Sequence, residues 1–446
     1  MCPTLIATTA APEPIREDYV PKDSYISPDY VRLEKQKLWP RVWQIACREE
    51  ELPNIGNYVV YEIAGESIAV IRSPAGIKAF YNVCQHRGRK LLDNAFGQTP
   101  HFHCRFHGWR WGLEGQIEHV LDLQDWKGSL CNEELNLKAP QVDTWGGFVW
   151  INMDPNAEPL RKYLEPAIDF LDPYDFGAMR YRWYKTFRIR CNWKVALEAF
   201  NEGYHVAATH PQLLPYYDDV NTSVAHGKHA MFHYWEARPM GQPSARLNKP
   251  LLDDTREAVR KYVTMMDREL NAILSDRMGQ VAGRLVTDLP EGTKDFDTLG
   301  ALMQFTQESA QVSGAGWPDI SFEQVAAAGT DWHLFPNAIT LMFPDAAIWY
   351  RARPYGDNPD ECLFDVWSLQ RFAPGSEPKL KREYYDDWRS CENLGQILDQ
   401  DFSNMEQVQE GMHSRGFVAA RTNPKQEIAI SNTHRVLYEY LFGNDQ

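Results

Sequence analysis

The feature that most limits what this chain can become is a pair of matched segments, Cys84-Gln85-His86-Arg87-Gly88 and Cys104-Arg105-Phe106-His107-Gly108, with 17 residues between His86 and Cys104. Each puts one thiol and one imidazole on a short stretch closed by glycine, the residue that takes a tight loop's backbone angles at least cost. A [2Fe-2S] cluster with two thiolates on one iron and two imidazoles on the other needs that donor set. A single tetrahedral zinc can use the same four donors, although its sites usually start from paired cysteines. His101, His103 and His119 lie nearby but outside the repeat, and they read as surface or packing histidines.

At 446 residues the chain exceeds one ordinary compact core, which predicts two domains or one domain carrying an insertion. Its 43% hydrophobic and 24% charged residues are those of a globular protein. A formal charge of -15 repels phosphate backbones and anionic lipid, which argues against nucleic acid or a membrane as partner. No run approaches the ~20 apolar residues of a membrane-spanning helix. Met1 to Glu17 has no basic leader, and Pro12 and Pro14 interrupt its apolar patch, so a cytoplasmic location is expected. The eight scattered cysteines then read as reduced thiols plus a metal site.

Tyr58 to Ile63, Ser67 to Arg72 and Ile77 to Asn82 read as short strands divided by Gly65 and by Pro74-Ala75-Gly76. The pattern continues through Gly108 to Ile117 and Gly147 to Asn152, and Pro155 and Pro159 mark its end. This predicts an all-β module at residues 41–155. The remainder reads as α+β. Period-two alternation predicts a strand over Trp183 to Trp193, followed by a helix capped by Asn192. Further strands are expected at Ile339 to Phe343, Ala346 to Arg353 and Cys362 to Phe372, with helix from about Lys381 to Met412. Between Asp219 and Asp331 helical and loop signals mix.

A second polar constellation runs from Glu198 through Asn201, Glu202 and His205 to His210-Pro211. On a helix, positions 198, 201, 202 and 205 share a face. His205 and His210 would point about 140° apart on a straight helix, so they converge only if it bends or ends. Pro211 disfavours helical geometry at His210 and makes that bend plausible. Two histidines and one carboxylate on one side of a metal make the site of non-haem Fe(II) oxygenases. Asp401 supplies a carboxylate on the apolar stripe Leu394, Ile397, Leu398, Met405, Val408 and Met412, where a lone charge costs free energy unless paired or bound to metal. Asp399 falls off that face. The competing reading of Glu202 to His210 is a solvated helix face with a capping histidine.

Together with Asn192-Trp193-Lys194, both motifs resemble those of the large catalytic (alpha) subunits of Rieske non-haem iron ring-hydroxylating oxygenases, from about Trp39 to the end of the chain. The resemblance implies an all-β Rieske [2Fe-2S] domain inserted in an α+β helix-grip (START-like) catalytic domain made of residues 1–40 and 156–446. It implies Cys84, His86, Cys104 and His107 as cluster ligands and His205, His210 and Asp401 as ligands of a mononuclear Fe(II). Rieske proteins of respiratory and photosynthetic complexes have two further cysteines at positions matching Arg89 and Phe106, so this chain resembles the oxygenase and ferredoxin branch. Family members usually carry aspartate three residues before the first iron histidine. A minority carry glutamate, as here at Glu202, which would link His205 to a neighbouring subunit's His107.

The resemblance also implies a homotrimer, with or without a small beta subunit, that receives electrons from NAD(P)H through a separate reductase, with or without a ferredoxin. The chain shows no nucleotide-binding glycine fingerprint, in keeping with a separate reductase. Three functions compete. One is mono- or dihydroxylation by O2 of an aromatic or similarly hydrophobic small molecule. Another is oxidative N- or O-demethylation, which Glu202 favours by its likeness to members acting on quaternary amines. The third is an electron carrier with an inactive second site. Phe232, Tyr234, Trp235, Met240, Phe335 and Phe343 suit either a hydrophobic pocket or plain core.

Overall fold

Strands separated by glycine turns pair with their neighbours, and in the computed structural model, which describes residues 15–443, the first third of the chain does so. Gly76–Tyr81, Glu66–Ser73 and Asn57–Ile63 form an antiparallel meander edged by Phe96–Gln98. Phe102–His103, Arg110–Trp111 and Ile117–His119 make a second small sheet. The two share a core in which Phe80 and Phe102 meet edge to face at 5.7 Å. Cys2, Pro12 and Pro14 lie outside the described residues.

A third sheet, in the order Gln141–Trp145, Phe148–Asn152, Gln44–Arg48, joins this module to the rest. Its apolar side belongs to the larger core, where the Phe148 ring lies 4.6 Å from Trp349 and 5.4 Å from Trp367. Chain on both flanks of the module packs together. Val20–Pro21 pairs with Ala419–Ala420, and Tyr30 meets Phe442 at 5.9 Å. The all-β module is therefore an insertion in an α+β domain.

That domain is built on an eight-stranded sheet in the order Thr222–His226, His229–His233, Asp331–Leu334, Ala338–Phe343, Ala346–Pro354, Cys362–Gln370, Arg180–Ile189, Arg382–Tyr385. Alternation gives it two apolar faces. Trp332, Trp349 and Trp367 stand on one, toward the joining sheet. Phe187, Tyr350 and Phe364 stand on the other, where Phe402 of helix Gln396–Met412 meets Phe187 at 5.1 Å and Phe364 at 5.7 Å. Asn192 caps helix Trp193–Glu198 by accepting the Lys194 N–H at 3.1 Å. Among the described residues no helix is long and apolar enough to cross a membrane.

Two expectations need correction. The stretch from Lys381 is not helical at its start: Arg382–Tyr385 runs parallel to Arg180–Ile189, and α-helix begins only at Gln396. The open edge of Arg180–Ile189 offers unpaired backbone groups, and satisfying them outweighs the local preference of a charged segment. Val408 is 46% exposed, so the buried stripe of helix Gln396–Met412 is narrower than its sequence suggests. The unpatterned region after Asp219 holds the hairpin Thr222–His226 and His229–His233 and helices Arg256–Glu269 and Asp295–Ser313.

A buried ionic knot ties module to sheet. Arg351 bonds the Asp365 carboxylate at 2.7 Å and donates to the Ile45 and Ala46 carbonyls at 2.6 and 3.0 Å, while Arg353 adds a second bond to Asp365 at 3.1 Å. Burial alone would raise the Asp365 carboxyl, but the two guanidinium groups hold it below its usual range. Removing one member of such a set leaves uncompensated buried charge. Asp365→Ala is expected to cost about 3–5 kcal/mol, seen as a lower thermal midpoint, and an unchanged midpoint would show that the knot does not bind the two parts.

Candidate metal centres

The two Cys-His segments fold into matching loops. The Gly88 N–H donates to the Cys84 carbonyl and the Gly108 N–H to the Cys104 carbonyl, each at 3.0 Å, and these glycines take φ of +77° and +71°. The Cys84 N–H donates to the Arg89 carbonyl and the Cys104 N–H to the Trp109 carbonyl, both at 2.8 Å. Both thiols are buried, and burial together with the neighbouring Cys104 raises Cys84 above the ordinary thiol range. A cation is what turns such thiols into thiolate ligands.

The imidazoles lie half-buried at the rim, with the Nδ1 atoms of His86 and His107 facing each other at 3.2 Å. His86 stacks on Trp109 at 4.8 Å. Sulfurs inside and nitrogens outside suit a two-iron cluster with a different ligand pair on each iron. A lone zinc would gather all four donors around one point. Among the described residues, only His205, His210 and Asp401 bring three such donors within 4.8 Å of one another. His103 and His119 are exposed and His101 is half-buried, all outside the loops.

At the second site the helix ends at Glu198, and residues 199–205 form turns before the short helix Val206–Thr209. The single polar face expected for Glu198 to His205 is therefore absent. Gly203 weakens helix here, and the Glu202 carboxylate takes the His205 N–H at 3.1 Å in place of a helical carbonyl. Before Pro211, His210 leaves helical geometry at φ -121°, ψ 52°. The break swings the two rings to 5.2 Å between centroids.

Asp401 faces both. Its Oδ1 lies 2.9 Å from His210 Nε2 and 3.6 Å from His205 Nε2. The other ring nitrogens are fixed from behind: His205 Nδ1 bonds Glu202 Oε1 at 2.5 Å, and His210 Nδ1 bonds Gln400 Oε1 at 2.8 Å. Gln212 Nε2 donates to the same Gln400 oxygen at 2.9 Å. With Nδ1 of each ring held from behind, each Nε2 is left facing Asp401, the nitrogen through which the imidazole would bind a metal. Burial pulls the His205 imidazolium down, but Glu202 and then Asp401 outweigh it and hold the group at about 9. Asn201 is fully buried with both amide atoms unpartnered. Gln400 has no motif to reveal it, and its only sequence signal is adjacency to Asp401.

Comparison with known proteins agrees with this geometry. Residues 176–443 match the family described as ring hydroxylating alpha subunit (catalytic domain), and residues 42–127 match the Rieske [2Fe-2S] domain. The chain belongs to the ring-hydroxylating alpha subunit family. Curated relatives include the glycine betaine monooxygenase oxygenase subunit of Pseudomonas aeruginosa, 29% identical over 44% of this chain and 45% of that one. The carnitine monooxygenase oxygenase subunit of Escherichia coli is 30% identical over 43% of this chain and 52% of its own. The large component of Pseudomonas putida naphthalene 1,2-dioxygenase is 31% identical over 43% and 44%. The chain thus spans about half the length of the curated relatives it matches.

Solved structures share the fold at lower identity. A quaternary ammonium Rieske monooxygenase crystallised with L-carnitine superposes with TM-score 0.63 at 18% identity, covering 95% of this chain and 97% of that one. Naphthalene 1,2-dioxygenase from Rhodococcus sp. gives 0.64 at 19% identity, covering 96% and 95%. The cofactors of a ring-hydroxylating alpha subunit are a Rieske [2Fe-2S] cluster and a mononuclear iron, and the two donor sets fit them in ligand type and grouping.

Asp401→Ala is expected to lose the mononuclear iron while keeping the visible spectrum of the cluster, and full iron occupancy in that variant would show Asp401 is no ligand. Freeing His210 by Gln400→Ala is expected to weaken iron binding by roughly 10–100-fold, measured by competition with a chelator.

Proposed function

We propose that this chain is the terminal component of an O2-dependent oxygenase that hydroxylates an N-methyl or ring carbon of a small, largely apolar molecule. The observation that carries this reading is the convergence of His205, His210 and Asp401 on one point, backed by Glu202 and Gln400. An electron carrier would have no use for it. In hydroxylation one oxygen atom enters a C–H bond, and the other leaves as water with two electrons and two protons. Bound in their sites, the cluster relays single electrons and the iron activates O2.

The chain's own side chains set the conditions for that chemistry. Cys84, His86, Cys104 and His107 hold the cluster at the surface of the 41–155 domain, and His205, His210 and Asp401 hold iron inside the domain formed by 1–40 and 156–446. Glu202 keeps the Nδ1 proton of His205 in place and fixes its backbone. The histidine edge of the cluster site is rimmed by exposed Arg87, Arg105 and Phe106, while Tyr204 is exposed between Glu202 and His205. Both surfaces suit contact with a second subunit, Glu202 then accepting a bond from the partner subunit's His107. A homotrimer, with or without a small beta subunit, meets that need, with a cytoplasmic NAD(P)H-dependent reductase, directly or through a ferredoxin, as electron source.

The relative named N,N-dimethyl phenylurea N-demethylase favours attack at N-methyl carbon, those named glycine betaine and carnitine monooxygenases favour monooxygenation of a molecule bearing such a group, and Glu202 in place of the usual aspartate agrees with them. Anthranilate and naphthalene dioxygenases stand for the ring alternative. A single turnover of chemically reduced protein with labelled O2 and a panel of methylated amines, aromatic acids and arenes tests the proposal. One labelled oxygen, or formaldehyde release, is expected. Two labelled oxygens on a ring would replace N-methyl attack by dihydroxylation, and no product from iron-replete protein across the panel would return the chain to the carrier reading. In the same assay Glu202→Gln is expected to slow cluster reoxidation roughly tenfold or more, the effect of about 1.4 kcal/mol on a barrier, with both metals still bound.

A further inference from the structure

The sheet face that receives the Asp401 helix also carries a buried carboxyl, Asp331, with which no cationic side chain among the described residues pairs. Asp331 stands opposite Phe232 on one neighbouring strand and Leu341 on the other, and residues directly opposite in antiparallel strands share a face. Leu341 in turn opposes Ile348, two residues before Tyr350 on the same face. Tyr350 stacks at 4.1 Å on Phe200, within the segment that leads into Glu202. Asp331 therefore stands on the sheet face that turns toward the iron site. Leu341 and Phe343, the last two residues of that face on their strand, are only half-buried.

Asp331 is 1% exposed, its Oδ2 has no hydrogen-bond partner, and burial alone pushes its carboxyl well above the usual carboxylate range. The other buried aspartates of the described residues are answered. Asp219, Asp345 and Asp365 pair with Arg246, Arg277 and Arg351, Asp218 accepts two backbone N–H groups, and Asp401 faces the histidines. Burial of an unpaired carboxylate opposes folding, so a protein that keeps one has a use for it. The groups around Asp331 are aromatic. Phe232 and Tyr234 meet edge to face at 5.7 Å, the Tyr234 hydroxyl feels both Glu202 and Asp331, and the Tyr350 hydroxyl feels both Asp401 and Asp331.

We propose that Asp331, with the rings of Phe232 and Tyr234, binds a positively charged nitrogen of the substrate, an alkylammonium whose charge answers the carboxylate and whose carbons lie against the rings. Carboxylate and aromatic faces both attract such a cation, and desolvation strengthens both attractions. A neutral arene would leave Asp331 as costly as before. The assignment rests on the oxygenase reading and names its substrate class.

The test is calorimetric binding to iron-replete protein of benzyltrimethylammonium and of neopentylbenzene, its uncharged carbon isostere. Wild type is expected to prefer the cation by at least about tenfold. Asp331→Asn, which keeps the volume and removes the charge, should erase that preference without weakening the isostere, and Tyr234→Leu should reduce it as a separate check. Equal binding of both probes by wild type, or an undiminished preference in Asp331→Asn, would overturn the proposal. So would tighter binding of acetophenone than of the cation, lost in Asp331→Asn, since that would make Asp331 a neutral acid donating to a carbonyl. Cation preference without turnover of any probe would strike the oxygenase reading and leave the binding role of Asp331 supported.

Discussion

A carboxylate that is 4% exposed and held 2.9 Å from one imidazole and 3.6 Å from another is the constraint on which the catalytic domain turns. Without the histidines and the cation they would share with it, Asp401 would be a buried charge amid the apolar stripe of its own helix. With one, it joins two distant pieces of chain at a single point. The rest of the domain serves that meeting. The eight-stranded sheet presents Phe187 and Phe364 to Phe402, which seats the helix, and the broken helix after Glu198 turns both histidines toward it. Glu202 and Gln400 then leave each imidazole one orientation.

The cluster module obeys a different rule. Its donors lie on two loops of matching backbone geometry, with sulfurs inside and nitrogens at the rim. Its small core is separate from the catalytic one, and the joining sheet locks the two through the carbonyls that Arg351 holds. A rigid join with an exposed histidine edge suits delivery of electrons outward, to another subunit, rather than inward through its own core.

The two matching Cys-His loops were legible because the information is local: four candidate donors and two glycines within 25 positions. His205 and His210 were legible for the same reason, and Pro211 foretold the break that lets them converge. Asp401 could be found because a charge on an apolar stripe demands an explanation. Other features had no local signature. Gln400 is an ordinary surface-type residue until His210 arrives beside it, and the answer to Asp365 comes from strand neighbours more than ten positions away. Asp331 looked like the end of an unpatterned stretch, since its isolation appears only when the sheet shows that no cation among the described residues pairs with it. Arg382–Tyr385 was misread because a free strand edge, invisible in the sequence, decides its conformation.

Metal and sulfide analysis of the purified protein tests most directly the claim that one chain holds a two-iron cluster and a separate iron. The account predicts about three irons and two acid-labile sulfides per chain, with a Rieske-type spectrum that survives loss of the third iron. Zinc without sulfide would contradict it, and two irons that no added Fe(II) raises to three would leave His205, His210 and Asp401 without the role given to them here.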